Sequence, residues 1–408
     1  VEILPVDEER RASPVSALMS SACAGIFVFG IVMAILGAIL PSLFERIHFG
    51  KGEAGNLFFV MNLAMLVMSV IFGPVVDRFG YRSFLIACSL LVAVSFFVFS
   101  RAAAFSWLVA GALVLGFGGG GLNGGANALA SDLYPERRSA ALNLIGIFFG
   151  FGALSMPFLV GLLLDRLGLK SILSIAALLS LVPMGLFLAL RFPRAKQARG
   201  FPLGQAARVI RDPLLWLCGI LLFFESGNEF TAGGWLAAFL NETFRFPATS
   251  AALVLAGYWA GMMAGRLLVS FRLVRVMKNE ILILVSAIFS LGAALLIILA
   301  PSAAAAALGI ILLGLGLAAI YPTTLAVVGG AFPTLSGTAF SVIFTVALVG
   351  GMTAPWLVGK IAAASTIRRG LVIPAVNCAA IIGLQLAVIR LERARRAASR
   401  RVSPGGSQ

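Results

Sequence analysis

Charge is scarce in this chain. Only 12% of its 408 residues are Asp, Glu, Lys or Arg, and histidine occurs once, as His48. Hydrophobic residues make up 60%, at a mean hydropathy of +1.04. So little charge could not cover so much apolar surface, which excludes water as the solvent for most of the molecule. Cysteine occurs four times (Cys23, Cys88, Cys218, Cys378), never at metal-ligand spacing. No disulfide framework or metal is implied, and the four read as packing residues. His48, in a loop after the first apolar run, reads as a solvated residue. A nucleophile–base–orienter set is also missing, so nothing argues for an enzyme. The short alternating strands of an outer-membrane barrel are absent. The N-terminal "VEILPVDEERRASPVS" is polar and acidic, so no cleavable signal peptide is expected there.

What the chain does have is length in its apolar runs. A helix crosses a bilayer in about 20 residues. Twelve stretches suffice, at about 17–44, 53–76, 81–100, 105–131, 138–164, 170–191, 213–241, 248–271, 279–300, 304–331, 336–362 and 368–391. The expected fold class is an all-α polytopic membrane protein. The net charge of +15 is concentrated in "RFPRAKQARG" (191–200) and "RLERARRAASRR" (390–401), which places both termini in the cytoplasm by the positive-inside rule. Basic residues interleaved with aromatics, as a nucleic-acid surface requires, are not seen, so no nucleic-acid partner is expected. The partners expected are a small solute and the lipid bilayer, and the chain reads as a monomer in the cytoplasmic (inner) membrane.

The longest polar stretch between apolar runs, 192–212, divides the chain into six spans and six. Residues 116–161 align without a gap on 314–359, at an offset of 198. Gly116 meets Gly314, Pro135 meets Pro333, and "PFLVG" meets "PWLVG". Spans 4 and 5 thus repeat as spans 10 and 11 in the same orientation. Parallel six-span halves resemble the major facilitator architecture. The turn "GPVVDRFGYR" (73–82) resembles that superfamily's signature, with Gly73, Asp77, Arg78, Gly80 and Arg82 at the matching positions. Asp77 can cap a helix start and pair with an arginine, holding a gate in one state. The second-half counterpart, "AGRLLVSFRLVR" (264–275), keeps Gly265 and Arg266 without the acid. The resemblance implies two pseudo-symmetric bundles, 17–191 and 213–391, flanked by a cytoplasmic tail (1–16), a linker (192–212) and a basic tail (392–408).

Polar groups at membrane depth are costly unless satisfied or useful. In the architecture implied, spans 1, 4, 7 and 10 line the cavity. Asn123, Asn127, Glu225, Asn228, Glu229 and Tyr321 are then well placed, whereas Asn377 and Gln385 read as helix–helix contacts. Asn143, Trp235, Tyr258 and Trp259 complete the candidate solute-binding set, the amides as paired donors and acceptors and the aromatics as stacking surfaces. "GFGGGG" (116–121) matches a dinucleotide pattern formally, but inside a membrane helix it reads as close helix packing. Arg266 sits near the cytoplasmic end of its span, so the interior is expected to lack a cation, which argues against an anionic solute.

Four segments resemble the fucose–galactose–glucose:proton symporter family: "ILGAILPSL" (35–43), "LNGGANAL" (122–129), "NLIGIFFGFGALSMP" (143–157) and "ESGNEFTAGGWLAAFL" (225–240). In the last, Glu229 takes the family's acidic place and Trp235 its aromatic one. The family's carboxylates in spans 1 and 4 are replaced here by Gly37 and Asn123. Glu225 and Glu229, one helical turn apart, are then the buried carboxylates left to carry a proton. The expected function is a secondary transporter for a neutral hydroxylated solute, of monosaccharide type, coupled to protons through Glu225 and Glu229, with no cofactor. The alternatives are a proton-driven exporter of cationic or amphipathic compounds, a sugar uniporter, and a non-transporting sensor.

Overall fold

The computed structural model describes residues 13–135, 137–192, 210–273, 276–332 and 336–402. Every regular element among them is helical. In chain order these are α1 (Val15–Ile47), α2 (Lys51–Arg101), α3 (Phe105–Leu133), α4 (Arg138–Ala189), α5 (Pro213–Phe244) and α6 (Ala248–Leu268), which a π-turn (Val269–Leu273) extends. Then come α7 (Asn279–Leu299), α8 (Ala303–Leu317), α9 (Ile320–Ala331), α10 (Ser336–Ala364), the single turn α11 (Ile367–Gly370) and α12 (Val372–Val402). Among the described residues, ten stretches are long and apolar enough to cross a bilayer. Counting Leu144–Ala189 twice, for its turn at Gly168, and adding Pro213–Phe244 gives the twelve passes expected.

Local chemistry explains the interruptions. α2 and α4 each turn at a glycine in the left-handed region, Gly80 (φ 78°) and Gly168 (φ 70°). With a side chain this conformation is strained, so glycine is the residue that joins two spans through so short a turn. α8 and α9 were expected as one run. Pro322 has no N–H to offer the carbonyl of Ala318, and the helix breaks at Ala318–Ala319. His48 is exposed and left-handed at the C-cap of α1, where its N–H bonds Phe44 O at 3.2 Å.

By contacts the chain forms two compact units. Unit 1 takes in Val1–Phe201, Gly233–Ala260 and Pro355–Gly370; unit 2 takes in Pro202–Ala232, Gly261–Ala354 and Leu371–Gln408. Three helices, α5, α6 and α10, therefore contribute one segment to each unit. The changes fall at Ala232–Gly233, Ala260–Gly261 and Ala354–Pro355. The tail segment 1–12, the linker segment 193–209 and residues 403–408 lie outside the described residues.

Unit 1 joins first-half helices to the later segments of α5 and α10 and the earlier segment of α6 by backbone contact. A Cβ on Gly37 of α1 would overlap Gly233 O of α5 and lie 2.7 Å from its carbonyl carbon. Gly55 of α2 meets Gly359 of α10 in the same way, its would-be Cβ 3.2 Å from Gly359 Cα. Beside these contacts Lys51 Nζ pairs with Glu242 Oε2 at 2.7 Å, and Trp356 Nε1 donates to Asn56 Oδ1 at 3.2 Å. Membrane helices gain little from apolar burial against one another, so close packing and interhelical hydrogen bonds supply the association. The "GFGGGG" run serves the same purpose inside α3: Gly118 packs on the Cys88 carbonyl of α2, and Gly120 on Met65 of the other arm of that helix.

Candidate functional site

In unit 2, the first segment of α5 carries Glu225 (1% exposed), Asn228 and Glu229 (8% exposed) on successive turns. Gly227 and Gly350 bring this segment against α10: a Cβ on Gly227 would lie 3.0 Å from that of Ala354, and Gly350 is packed on Phe223 O. Asn228 is engaged at both ends of its amide. Its Oδ1 accepts from Asn377 Nδ2 at 3.0 Å, and its Nδ2 donates to Cys378 Sγ at 3.2 Å. Asn377, expected as a helix–helix contact, makes one, and Gln385 makes another by donating to Glu280 O at 2.9 Å. The amide of Asn228 thus joins α5 to α12.

Glu225 is not satisfied in this way. Its Oε2 and the hydroxyl of Thr231 are buried with no hydrogen-bond partner among the described residues. Arg266 of α6 exerts a Coulombic influence on Glu225, on Glu229 and on Tyr321 of α9. Sequence reasoning placed Arg266 near the end of its span and did not connect it with the two carboxylates. Arg266 lies in the last turn of α6, as the sequence indicates, but half-buried and within electrostatic range of both carboxylates. The long guanidinium side chain can reach well away from its own Cα. Tyr321 is half-buried and stacks on Phe344, with ring centroids 6.3 Å apart and planes 9° from parallel.

The other candidates belong to unit 1 and stand in two groups. Asn123 and Asn127 of α3 bond to each other, Asn127 Nδ2 to Asn123 Oδ1 at 2.9 Å, with Asn123 exposed and Asn127 half-buried. Trp235, Tyr258 and Trp259 are fully buried. Trp235 donates to Pro355 O at 2.9 Å and packs on Phe58. Trp259 meets Phe149 edge to face at 6.2 Å, and its indole N–H has no partner among the described residues. The side chain of Asn143 lies outside those described.

In the turn that resembles the superfamily signature, Gly73 is helical and Gly80 carries the positive φ. Arg78 is exposed over the ring of Phe79 at 5.4 Å. Arg82 donates to Leu188 O at 2.6 Å, near the carbonyl end of α4, where positive charge is favoured. The Asp77 side chain is outside the described set. Sequence reasoning overlooked two features here. Asp132 of α3 accepts from Tyr81 OH at 2.9 Å, tying the turn to the end of span 4. In addition "LDRLGLKS" (164–171) copies "VDRFGYRS" (76–83), Gly168 in place of Gly80 with matching φ. Comparing the two turns would have found it.

The pattern for the Major Facilitator Superfamily matches residues 22–355. The chain belongs to that superfamily. Its members are transporters, and this member has their all-α polytopic membrane fold. Among curated proteins, it is similar to "Bypass of stop codon protein 6" of Saccharomyces cerevisiae, 26% identical over 298 residues, 65% of this chain. The superfamily member described here spans 59% of that relative's length. Among solved structures, a D-xylose–proton symporter superposes with a TM-score of 0.76 at 14% identity, covering 92% of this chain and 97% of its own. The E. coli fucose:proton symporter superposes with a TM-score of 0.64 at 18% identity, covering 91% and 98%. At these identities the likeness is one of fold.

Proposed function

We propose that this transporter moves a small neutral hydroxylated solute, of monosaccharide class, by alternating access, coupled to protons through Glu225 and Glu229. The observation that carries the reading is the buried carboxylate pair of α5 with Arg266 in range. Two carboxylates and one guanidinium sum to one negative charge, and one proton shared by the pair makes the trio neutral. Neutrality is what a low-dielectric interior tolerates while the site is closed, and opening to water on either side lets the proton leave. Glu225 Oε2 and Thr231 Oγ1 are free to accept from solute hydroxyls. In this reading Tyr321 of the same unit contributes its ring, and the hydrogen-bonded amides of Asn123 and Asn127 in α3 are a separate candidate for solute hydroxyls. Two transporters of the same fold are named as proton symporters of sugars, which supports the class.

In this reading the protein is a monomer of the cytoplasmic membrane with both termini inside. It is organised as bundles 17–191 and 213–391, and needs no cofactor besides the coupling proton. Asp77, Arg78, Arg82 and Arg266 act at the gate on the side of the termini. Arg266 also favours a second reading. With both glutamates protonated, its charge would be balanced by a monocarboxylate solute.

Uptake into proteoliposomes, with and without an imposed pH gradient, tests the proposal on a panel of sugars plus one monocarboxylate and one lipophilic cation. The expected result is accumulation of a sugar driven by inward protons and abolished by Glu229→Gln. Downhill sugar flux insensitive to pH and to both Glu→Gln changes would refute the coupling. Carboxylate uptake would favour the second reading, and expulsion of the cation alone would make the protein an exporter.

A further inference from the structure

Within unit 1, the start of α2 and the end of α10 border a cavity of about 450 Å³. Small-molecule sites occupy roughly 300–1,000 Å³, so the space suits a small solute. The Gly55–Gly359 contact holds the two helices together beside it, and the glycines and alanines in both walls leave it unfilled. Five polar side chains line it: Lys51, Glu53, Asn56, Lys360 and Ser365.

These side chains are fixed by the protein without being exhausted by it. Lys51 is committed to Glu242, and Ser365 Oγ donates to Ile361 O at 2.8 Å. Glu53 accepts from Gly50 N through Oε2 at 2.7 Å, which leaves Oε1 to accept again. Asn56 Oδ1 is taken by Trp356, and its Nδ2 has no acceptor among the described residues. Lys360 Nζ lies 5.6 Å from the Trp356 ring centroid and pairs with no carboxylate among those residues. The charges cancel, Lys51 against Glu242 and Lys360 against Glu53. An anion entering the cavity would meet Glu53, and a cation would meet Lys360. A hydroxyl both accepts and donates, so it can use the ammonium, the amide and the carboxylate together.

We propose that this cavity is a second binding site for a small neutral polyhydroxylated solute, with Lys360 and Asn56 donating to its hydroxyls and Glu53 accepting from them. The solute class rests on the function proposed above, but the residues are separate, since Glu225 and Glu229 belong to unit 2. The test is protection of a thiol in the cavity wall, introduced through Ala363→Cys in the full chain in nanodiscs. The four native thiols are buried, and a small neutral methanethiosulfonate is the reagent. Glucose, galactose, fucose and xylose are the probes, with acetate and methylammonium beside them. At about ten times its Kd, a bound sugar should slow modification about tenfold. Ala364→Cys, exposed but outside the lining, should react at an unchanged rate. Protection should persist with Glu225→Gln and Glu229→Gln together, and Lys360→Met with Glu53→Gln should remove it. The proposal is overturned if none of the four sugars protects, or if Ala364→Cys is protected equally. Loss of protection in the Glu225/Glu229 variant would overturn it too, as would its survival in the Lys360/Glu53 variant. Equal protection by acetate or methylammonium would make the cavity a site for charge instead. Sugar uptake into proteoliposomes without protection refutes the cavity alone, and protection without uptake refutes the transport reading alone.

Discussion

Gly37 offers the sharpest test of how the helices meet. The resembled symporter family carries a carboxylate there, yet a Cβ at this position would overlap Gly233 O and approach Gly234 Cα to 2.9 Å. These are backbone atoms, which cannot rotate away as a side chain would. Gly37→Ala must therefore push α1 and α5 apart. Overpacking of this kind costs about 1–3 kcal/mol, and a backbone obstacle puts it near the upper end. Alanine in place of glycine returns about 1 kcal/mol through helix propensity. The net is about 2 kcal/mol against the closed contact, or roughly a thirtyfold shift in its population. Gly146→Ala is the control, since that helical glycine has nothing within 4 Å of a would-be Cβ. The assay is the rate of cross-linking between Lys51→Cys and Glu242→Cys, whose parent side chains are in contact next to the glycine seam. Cross-linking should fall at least tenfold with Gly37→Ala, further with Gly37→Asp, and not at all with Gly146→Ala. If Gly37→Ala cross-links at the parental rate and melts at the parental temperature, the seam does not hold these helices together.

Two further outcomes follow from other contacts. Asn377→Ala leaves Asn228 Oδ1 buried without its donor, so the melting temperature should drop. The double-mutant cycle with Asn228→Ala should show a coupling of about 0.6–1.7 kcal/mol, the range found for such bonds within membranes, and strict additivity would refute the bond's contribution. Gly80→Ala and Gly168→Ala meet no steric obstacle but force a side chain into the left-handed region. Each should destabilise by about 1–2 kcal/mol in thermal melts, with asparagine milder than alanine, and neutrality at both turns would contradict their assigned geometry.

Much of the architecture is legible in one dimension because its causes are local. A run of apolar residues long enough to cross lipid must satisfy its own backbone, and the helix follows from that alone. The offset-198 repeat and the turn at Gly80 are read residue by residue, and the copy of that turn at Gly168 was equally readable. Two expensive acids in α5 announced themselves by composition.

The partners of those acids were decided only by tertiary structure. The position of Arg266 along its helix suggested distance from Glu225 and Glu229, but the reach of a guanidinium depends on how α6 packs, which no periodicity encodes. Asn228 looked like a solute ligand from its place in span 7. Its rotation toward α12 instead gives its amide to Asn377 and Cys378, about 150 residues away in sequence. Gly37 read as a missing carboxylate and is a contact surface for the backbone of α5. The sequence by itself determined the membrane, the helices and the repeat, since each depends on near neighbours and on lipid. Which polar group satisfies which, and where a continuous helix such as α5 passes from one compact unit to the other, depended on distant residues meeting.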